Sequence, residues 1–202
     1  SGKRFVKKIS IIDYGCANYN SIKNTLKKFD CEVSITTNLK TLKKQDIIIL
    51  PGVGTFPRAM KVLNDKKLIK FIKNAPNEGK KILGICLGMQ LLTRFSSEIK
   101  NTNGLSLINA KTKELSYKSS NIGWSKLQIK DKKSAFAELN NKEFYFQHSY
   151  KIELDKNNYN LGFSFVREKI VSFLEFKKGI TATQFHPEKS QKAGLDFFRI
   201  YL

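Results

Sequence analysis

Residues 81–95 read Lys81-Ile82-Leu83-Gly84-Ile85-Cys86-Leu87-Gly88-Met89-Gln90-Leu91-Leu92-Thr93-Arg94-Phe95. The first five form a short apolar run, the pattern of a strand buried in a parallel sheet. From 87 to 95 the chain reads as a helix. Between them, Gly84-Ile85-Cys86-Leu87-Gly88 sets one nucleophilic side chain midway between two glycines. Such a G-x-nucleophile-x-G corner turns a strand sharply into a helix, and the glycines remove side chains that would clash in so tight a bend.

Toward the amino terminus the same alternation repeats. Residues 9–13 are β-rich and stop at Tyr14-Gly15, and Tyr19, Ile22, Leu26 and Phe29 mark a helical stripe over 18–29. Residues 32–36 read as a second strand. Residues 46–50 are a continuous apolar run closed by Pro51-Gly52, and 56–75 carry one amphipathic helical pattern ended by 76–79. Toward the carboxyl terminus, segments 105–115, 124–129, 144–154, 161–166, 170–176 and 180–186 read as mostly short strands between Asn, Gly and Lys turns. Residues 190–201 read as a closing amphipathic helix with Ser190 as its N-cap. The pattern predicts a doubly wound, flavodoxin-like α/β fold: a mixed sheet with an antiparallel β extension in the C-terminal half. No repeat, low-complexity tract or linker interrupts the chain, so residues 1–202 are expected to form one domain.

A net charge of +20 raises the question of an anionic partner. It comes from 32 lysines and only five arginines, scattered singly and in pairs. Arginine is the usual residue for bidentate phosphate and base contacts, so a solvated lysine surface is the simpler reading and no nucleic-acid partner is expected. Hydrophobic residues make up 41% and are spread along the chain, which argues against disorder. No apolar run approaches the ~20 residues of a membrane span, and no signal peptide is visible. Ser1-Gly2 reads as a cloning scar. Cys16, Cys31 and Cys86 lie far apart without a CxxC pair, which fits a reducing cytoplasm; Cys16 and Cys31 are read as structural or incidental. There are only two histidines, neither near a cysteine in sequence, and no metal centre is expected.

At the corner, the sulfur of Cys86 is expected to be exposed at a helix N-terminus, where free N–H groups and the helix dipole favour thiolate over thiol. The N–H of Leu87 would point at an oxyanion formed by its attack. The competing reading is a buried structural cysteine, since unpaired cysteine is among the most buried residue types. The second signal is Gln184-Phe185-His186-Pro187-Glu188 after the last strand. In extended chain, residues two apart share a face, so Glu188 can accept a hydrogen bond from the His186 ring while Pro187 stiffens the pair. His186 could then act as general base toward Cys86 and as general acid toward a leaving amine.

The elbow and the late His-Pro-Glu resemble those of the class I glutamine amidotransferases, which carry a Cys-His-Glu triad. Further blocks follow in order: Ile12-Asp13-Tyr14-Gly15 with Asn18, Leu50-Pro51-Gly52-Val53-Gly54 with Phe56, GICLGMQLL at 84–92, and Gly104-Leu105-Ser106-Leu107-Ile108. Then come Ile122-Gly123-Trp124, Phe144-Tyr145-Phe146 with His148-Ser149-Tyr150, and QFHPEKS at 184–190. They cover nearly the whole chain. They look most like the branch of the family that feeds ammonia to a (β/α)8-barrel cyclase in histidine biosynthesis. The resemblance implies glutamine as substrate, no cofactor, and a heterodimer with that cyclase. It implies an oxyanion hole of Leu87, Val53 and Gly54, and a glutamine pocket of Gly52, Gln90, Glu98, Tyr145, His148 and Ser149. Glu98 would suit the substrate's α-ammonium. Asn18, Trp124 and Lys189 would face the partner, Lys189 at the mouth of the ammonia passage.

The chain departs from the family in two places. Ala17 stands where Gly is usual, and Ser120-Asn121-Ile122-Gly123-Trp124-Ser125 replaces a usual Pro-His-Met-Gly-Trp-Asn at the partner face. Two other readings are therefore carried. One is a paralogue with the same chemistry serving another acceptor, such as sugar synthesis for surface polysaccharide. The other is a non-catalytic basic scaffold or nucleic-acid binder, which a broken triad would favour; no member is missing.

Overall fold

The computed structural model describes residues 5–15, 18–176 and 179–202. The readings that concern Ser1-Gly2, Cys16 and Ala17 fall outside the described residues. In chain order the elements are β1 (Lys7–Ile12), α1 (Asn20–Leu26), β2 (Cys31–Thr36), α2 (Leu39–Leu42), β3 (Ile47–Leu50), α3 (Phe56–Asp65), α4 (Ile69–Asn74), β4 (Lys81–Ile85) and α5 (Leu87–Leu91). There follow β5 (Phe95–Ser96), β6 (Thr102–Asn103), β7 (Ala110–Glu114), β8 (Asn121–Lys126), β9 (Gln128–Ile129), β10 (Glu143–His148) and β11 (Tyr150–Leu154). The chain closes with β12 (Asn160–Phe165), β13 (Lys169–Phe176), β14 (Ile180–Thr183) and α6 (Gln191–Tyr201).

Eight strands make one mixed sheet in the order β2-β1-β3-β4-β14-β13-β12-β9. The first five run parallel, with β14 in the fifth place of a flavodoxin-like order. The last three continue antiparallel. Alternate strand residues feed two cores. Ile9, Ile11, Ile49 and Ile85 face α1, α6 and β10, while Ile12, Ile48, Leu50 and Ile82 face α3, α4 and α5. Both faces of β3 and β4 are thus covered, which is why these two strands read as unbroken apolar runs. Each fully buried Ile or Leu contributes roughly 1.5–3 kcal/mol relative to exposure. Among the described residues no helix is long and apolar enough to cross a membrane.

The C-terminal half extends the main sheet only in part. β8 and β10 form a separate two-stranded ladder, and β11-β7-β5-β6 a third sheet. The expected strand over 144–154 therefore changes sheets at Ser149. The pattern over 87–95 gives only the five residues of α5, because Arg94 N–H bonds Ala110 O and draws the chain into β5. Residues 105–108 wrap the end of α5 instead of forming a strand, with Leu105 N–H on Leu91 O and Leu107 N–H on Leu92 O. The helix expected over 56–75 breaks at Lys67, whose φ of +58° turns the chain so that Leu68 is fully buried.

Candidate active site

Cys86 lies between β4 and α5 with φ +51° and ψ −105°, a conformation that costs on the order of 1–3 kcal/mol for a residue with a side chain. The two glycines hold it there. A Cβ on Gly88 would fall 1.9 Å from Leu50 O, and one on Gly84 2.7 Å from the Gly88 carbonyl. Cys86 N–H also bonds Thr183 O at 2.7 Å, tying the corner to β14. The cysteine is not exposed as expected: it is 6% accessible. Its sulfur lies 3.6 Å from Gln147 O and 3.5 Å from Gln184 Nε2, beneath the end of β10 and the segment after β14. With only five residues, α5 offers first-turn N–H groups and little macrodipole.

β14 ends at Thr183, and the chain then runs to His186, whose N–H bonds Tyr145 O at 2.9 Å. Residues 187–189 form a single 3₁₀ turn. This turn sits directly on α6, where a Cβ on Gly194 would lie 1.7 Å from Pro187 O. Ser190 does not cap α6 with its side chain. Its hydroxyl donates to His186 O at 2.6 Å and accepts from Tyr145 N–H at 3.0 Å, fixing the histidine backbone instead. The His186 ring donates from Nδ1 to Glu188 Oε1 at 2.7 Å, with both side chains buried. That leaves Nε2 as the ring nitrogen available to Cys86. Burial alone would lower the His186 pKa, but the neighbouring Cys86, with Glu188 behind, outweighs it and pushes it up to about 10. Cysteine and histidine therefore form a coupled pair in which the imidazolium is favoured.

The loop after β3 presses on this pair. A Cβ on Gly52 would lie 2.8 Å from Cys86 Cβ and 3.0 Å from His186 Cε1, so only glycine lets the backbone approach so closely. Gly54 has φ +97°, and Val53 packs half-buried on the core. Directly beyond, Glu98 Oε2 accepts Phe56 N–H at 2.9 Å in the first turn of α3. Its burial raises the carboxyl pKa, and that hydrogen bond opposes the rise.

Two of the remaining expected residues, Gln90 and His148, meet at one carbonyl. Gln90 Nε2 donates to Tyr150 O at 3.1 Å and to Gln184 Oε1 at 3.3 Å. His148 donates from Nδ1 to the same Tyr150 O at 2.7 Å, and its Nε2 accepts from Asn121 Nδ2 at 3.2 Å. Burial lowers its pKa to about 4, so the ring is neutral. Ser149 Oγ meets Ser120 Oγ at 2.7 Å. The replaced residues Ser120 and Asn121 are thus bonded to the pocket segment. Tyr145 packs edge-on against Trp124. Asn18 and Lys189 are exposed, Asn18 just before α1, which packs on the 187–189 turn that holds Lys189. Gln184 and Asn121 were not expected at the site. For Gln184 a signal existed: two residues before His186 in extended chain, it shares that face. Among the described residues no group of three His, Cys, Asp or Glu side chains could hold a metal.

The family model of class-I glutamine amidotransferases matches residues 10–198. The chain is 40% identical over 190 residues to the imidazole glycerol phosphate synthase subunit HisH of Bacillus mycoides, covering 93% of this chain and 90% of that one. It is 38% identical to the HisH subunit of Oceanobacillus iheyensis, covering 96% and 97%. Among solved structures it resembles PurLQS from Thermotoga maritima, with TM-score 0.78, 18% identity and 98% of each chain covered. A second similar structure is a glutamine amidotransferase with TM-score 0.77, 15% identity and 96% of each chain covered.

Proposed function

The chain belongs to the class-I glutamine amidotransferases, and within them to the HisH subunits of imidazole glycerol phosphate synthase; on that footing we propose that Cys86, His186 and Glu188 hydrolyse glutamine and supply its ammonia to histidine biosynthesis. The observation that carries this reading is the junction of three groups. The Gly52 backbone lies against both Cys86 and His186, and Glu188 holds the His186 ring through Nδ1 at 2.7 Å.

In the reaction, Sγ attacks the side-chain amide carbon and its C–S bond forms. The oxyanion is held by N–H groups of Leu87 and of the Val53-Gly54 loop. His186 gives its proton to the departing nitrogen as the C–N bond breaks, releasing ammonia and leaving a thioester. It then takes a proton from water, whose oxygen attacks the thioester, and returns it to sulfur as glutamate leaves. Glu188 keeps the ring in the correct tautomer and stabilises the imidazolium. Gly52, Gln90, Glu98, Tyr145, His148 and Ser149 form the glutamine pocket. Residues 1–202 act as one domain, in the cytoplasm, and no cofactor is required.

The partner is a cyclase of (β/α)8-barrel fold docking over Asn18, Trp124 and Lys189. On β8, Ile122 and Trp124 point outward at 64% and 46% exposure, an unusual pair of large apolar side chains to leave in water. The test is an electrophilic glutamine analogue followed by peptide mapping of the adduct. Modification of Cys86 supports the assignment, and modification of Cys31 with Cys86 untouched overturns it.

A further inference from the structure

A sulfur with 6% accessibility has lost most of the water that would stabilise its anion. Gln147 O, 3.6 Å away, can only accept, so it favours the thiol. The ionisable group beside the sulfur is His186, backed by Glu188; the His148 ring is bonded to Asn121 and Tyr150 O and stays neutral. The other donor is the Gln184 amide, with Nε2 3.5 Å from Sγ.

The orientation of that amide is set from a fixed point. Tyr150 O is a backbone carbonyl and cannot donate, so Gln90 must turn its NH₂ toward it. That NH₂ also reaches Gln184 Oε1, so Gln184 must present its oxygen to Gln90 and its NH₂ to the sulfur. Reversing Gln184 would oppose two NH₂ groups at one end and place oxygen against sulfur at the other. Both side chains are almost wholly buried, so water cannot relieve either mismatch.

We propose that Gln184 is a positioning residue for the Cys86 thiolate, with its donor direction imposed by Gln90 from the Tyr150 carbonyl. The proposal rests on Cys86 being the nucleophile. It gives Gln90 a role beyond any contact with glutamine, because its amide nitrogen is committed inside the protein.

The test is the pH profile of Cys86 alkylation by iodoacetamide in the full chain, which needs neither glutamine nor the cyclase. Gln184→Leu removes the donor; Gln184→Glu, where ionised, keeps an acceptor for Gln90 and offers the sulfur no donor. In both, the pH of half-maximal alkylation should rise by roughly one unit, the scale of one lost hydrogen bond to a charged group, and the rate at pH 7 should fall about tenfold. Gln90→Leu should shift the profile the same way by less, and Gln90→Leu with Gln184→Leu no further than Gln184→Leu alone. Circular dichroism selects the folded variants, and Gln184→Met replaces either variant that does not fold. An unchanged profile in folded variants overturns the proposal while leaving the nucleophile assignment intact. If Cys31 is alkylated in preference to Cys86 in the unaltered protein, both fall together.

Discussion

Glu188 and His186 share a 2.7 Å hydrogen bond between Oε1 and Nδ1, and their side chains are 4% and 5% exposed. The second carboxylate oxygen, Oε2, is buried without a hydrogen-bond partner among the described residues. A carboxylate held this way stabilises a positive ring and is itself expensive to bury, so its main return is in the chemistry of His186. Replacing His186 with Ala should lower glutamine hydrolysis at least about 10²-fold. Glu188→Gln should lower it less, because the amide oxygen can still accept from Nδ1–H while the charge is lost. Glutamate formation by the chain with its cyclase measures both. A silent His186→Ala beside a crippling His148→Ala would refute the assignment.

Gly52 offers a test of how closely the oxyanion loop must approach the reacting pair. An alanine Cβ there would meet Cys86 Cβ and Ile85 O at 2.8 Å, and neither is the free end of a flexible side chain. The loop must retreat, and a hole missing one N–H loses roughly 10²–10³ in rate. Gly52→Ala is expected to fold and to lose glutamine hydrolysis on that scale, with kcat reduced far more than KM is raised. Normal turnover in steady-state assays would remove this loop from the mechanism.

Much of this geometry was legible because it depends on residue types at fixed short spacings. The elbow is written in Gly84 and Gly88, each needed where backbone meets backbone, and the histidine pair in the i, i+2 relation of His186 and Glu188. What escaped depends on partners distant in sequence. The period-2 pattern of Phe144, Phe146, His148 and Ile152 continues through Ser149, so nothing local marks the change of sheet. Ser190 has the right type for an N-cap, but its hydroxyl is taken by Tyr145 and His186. Glu98 was expected to serve substrate, a role still proposed for it; its bond to Phe56 N–H, 42 positions away, could not be foreseen.

His148 should make the fold sensitive to mild acid. Burial lowers its pKa from 6.5 to about 4, so the unfolded chain takes up a proton in that interval that the folded ring refuses. This source of stability is complete above pH 6.5 and is lost as pH falls toward 4. The full difference amounts to roughly 3 kcal/mol. Urea unfolding at pH 7.5 and 4.5 measures it. His148→Gln, which brings no titrating group, should lose less stability between the two pH values than the unaltered protein. Equal losses would mean that His148 is charged or accessible in the folded state.

Trp124 connects the proposed docking face to the histidine. Its ring stands edge-on to Tyr145 at 5.8 Å, and the Tyr145 carbonyl accepts the His186 N–H. Large aromatic side chains at the centre of an interface typically contribute 2 kcal/mol or more, about thirtyfold in Kd. A partner that covers Trp124 also holds the strand on which His186 hangs, so binding and hydrolysis should be linked through differential affinity for the competent arrangement. The chain alone should hydrolyse glutamine slowly and gain orders of magnitude on adding its own cyclase with acceptor bound. Trp124→Ala should raise the Kd for the cyclase at least about tenfold by calorimetry, and saturating cyclase should restore hydrolysis. Because Ser120 and Asn121, two of the replaced residues, are bonded to Ser149 and His148, a cyclase fitted to the usual loop should activate poorly. Full activity without any cyclase would refute the linkage, and equal activation by a foreign cyclase would refute the importance of the altered loop.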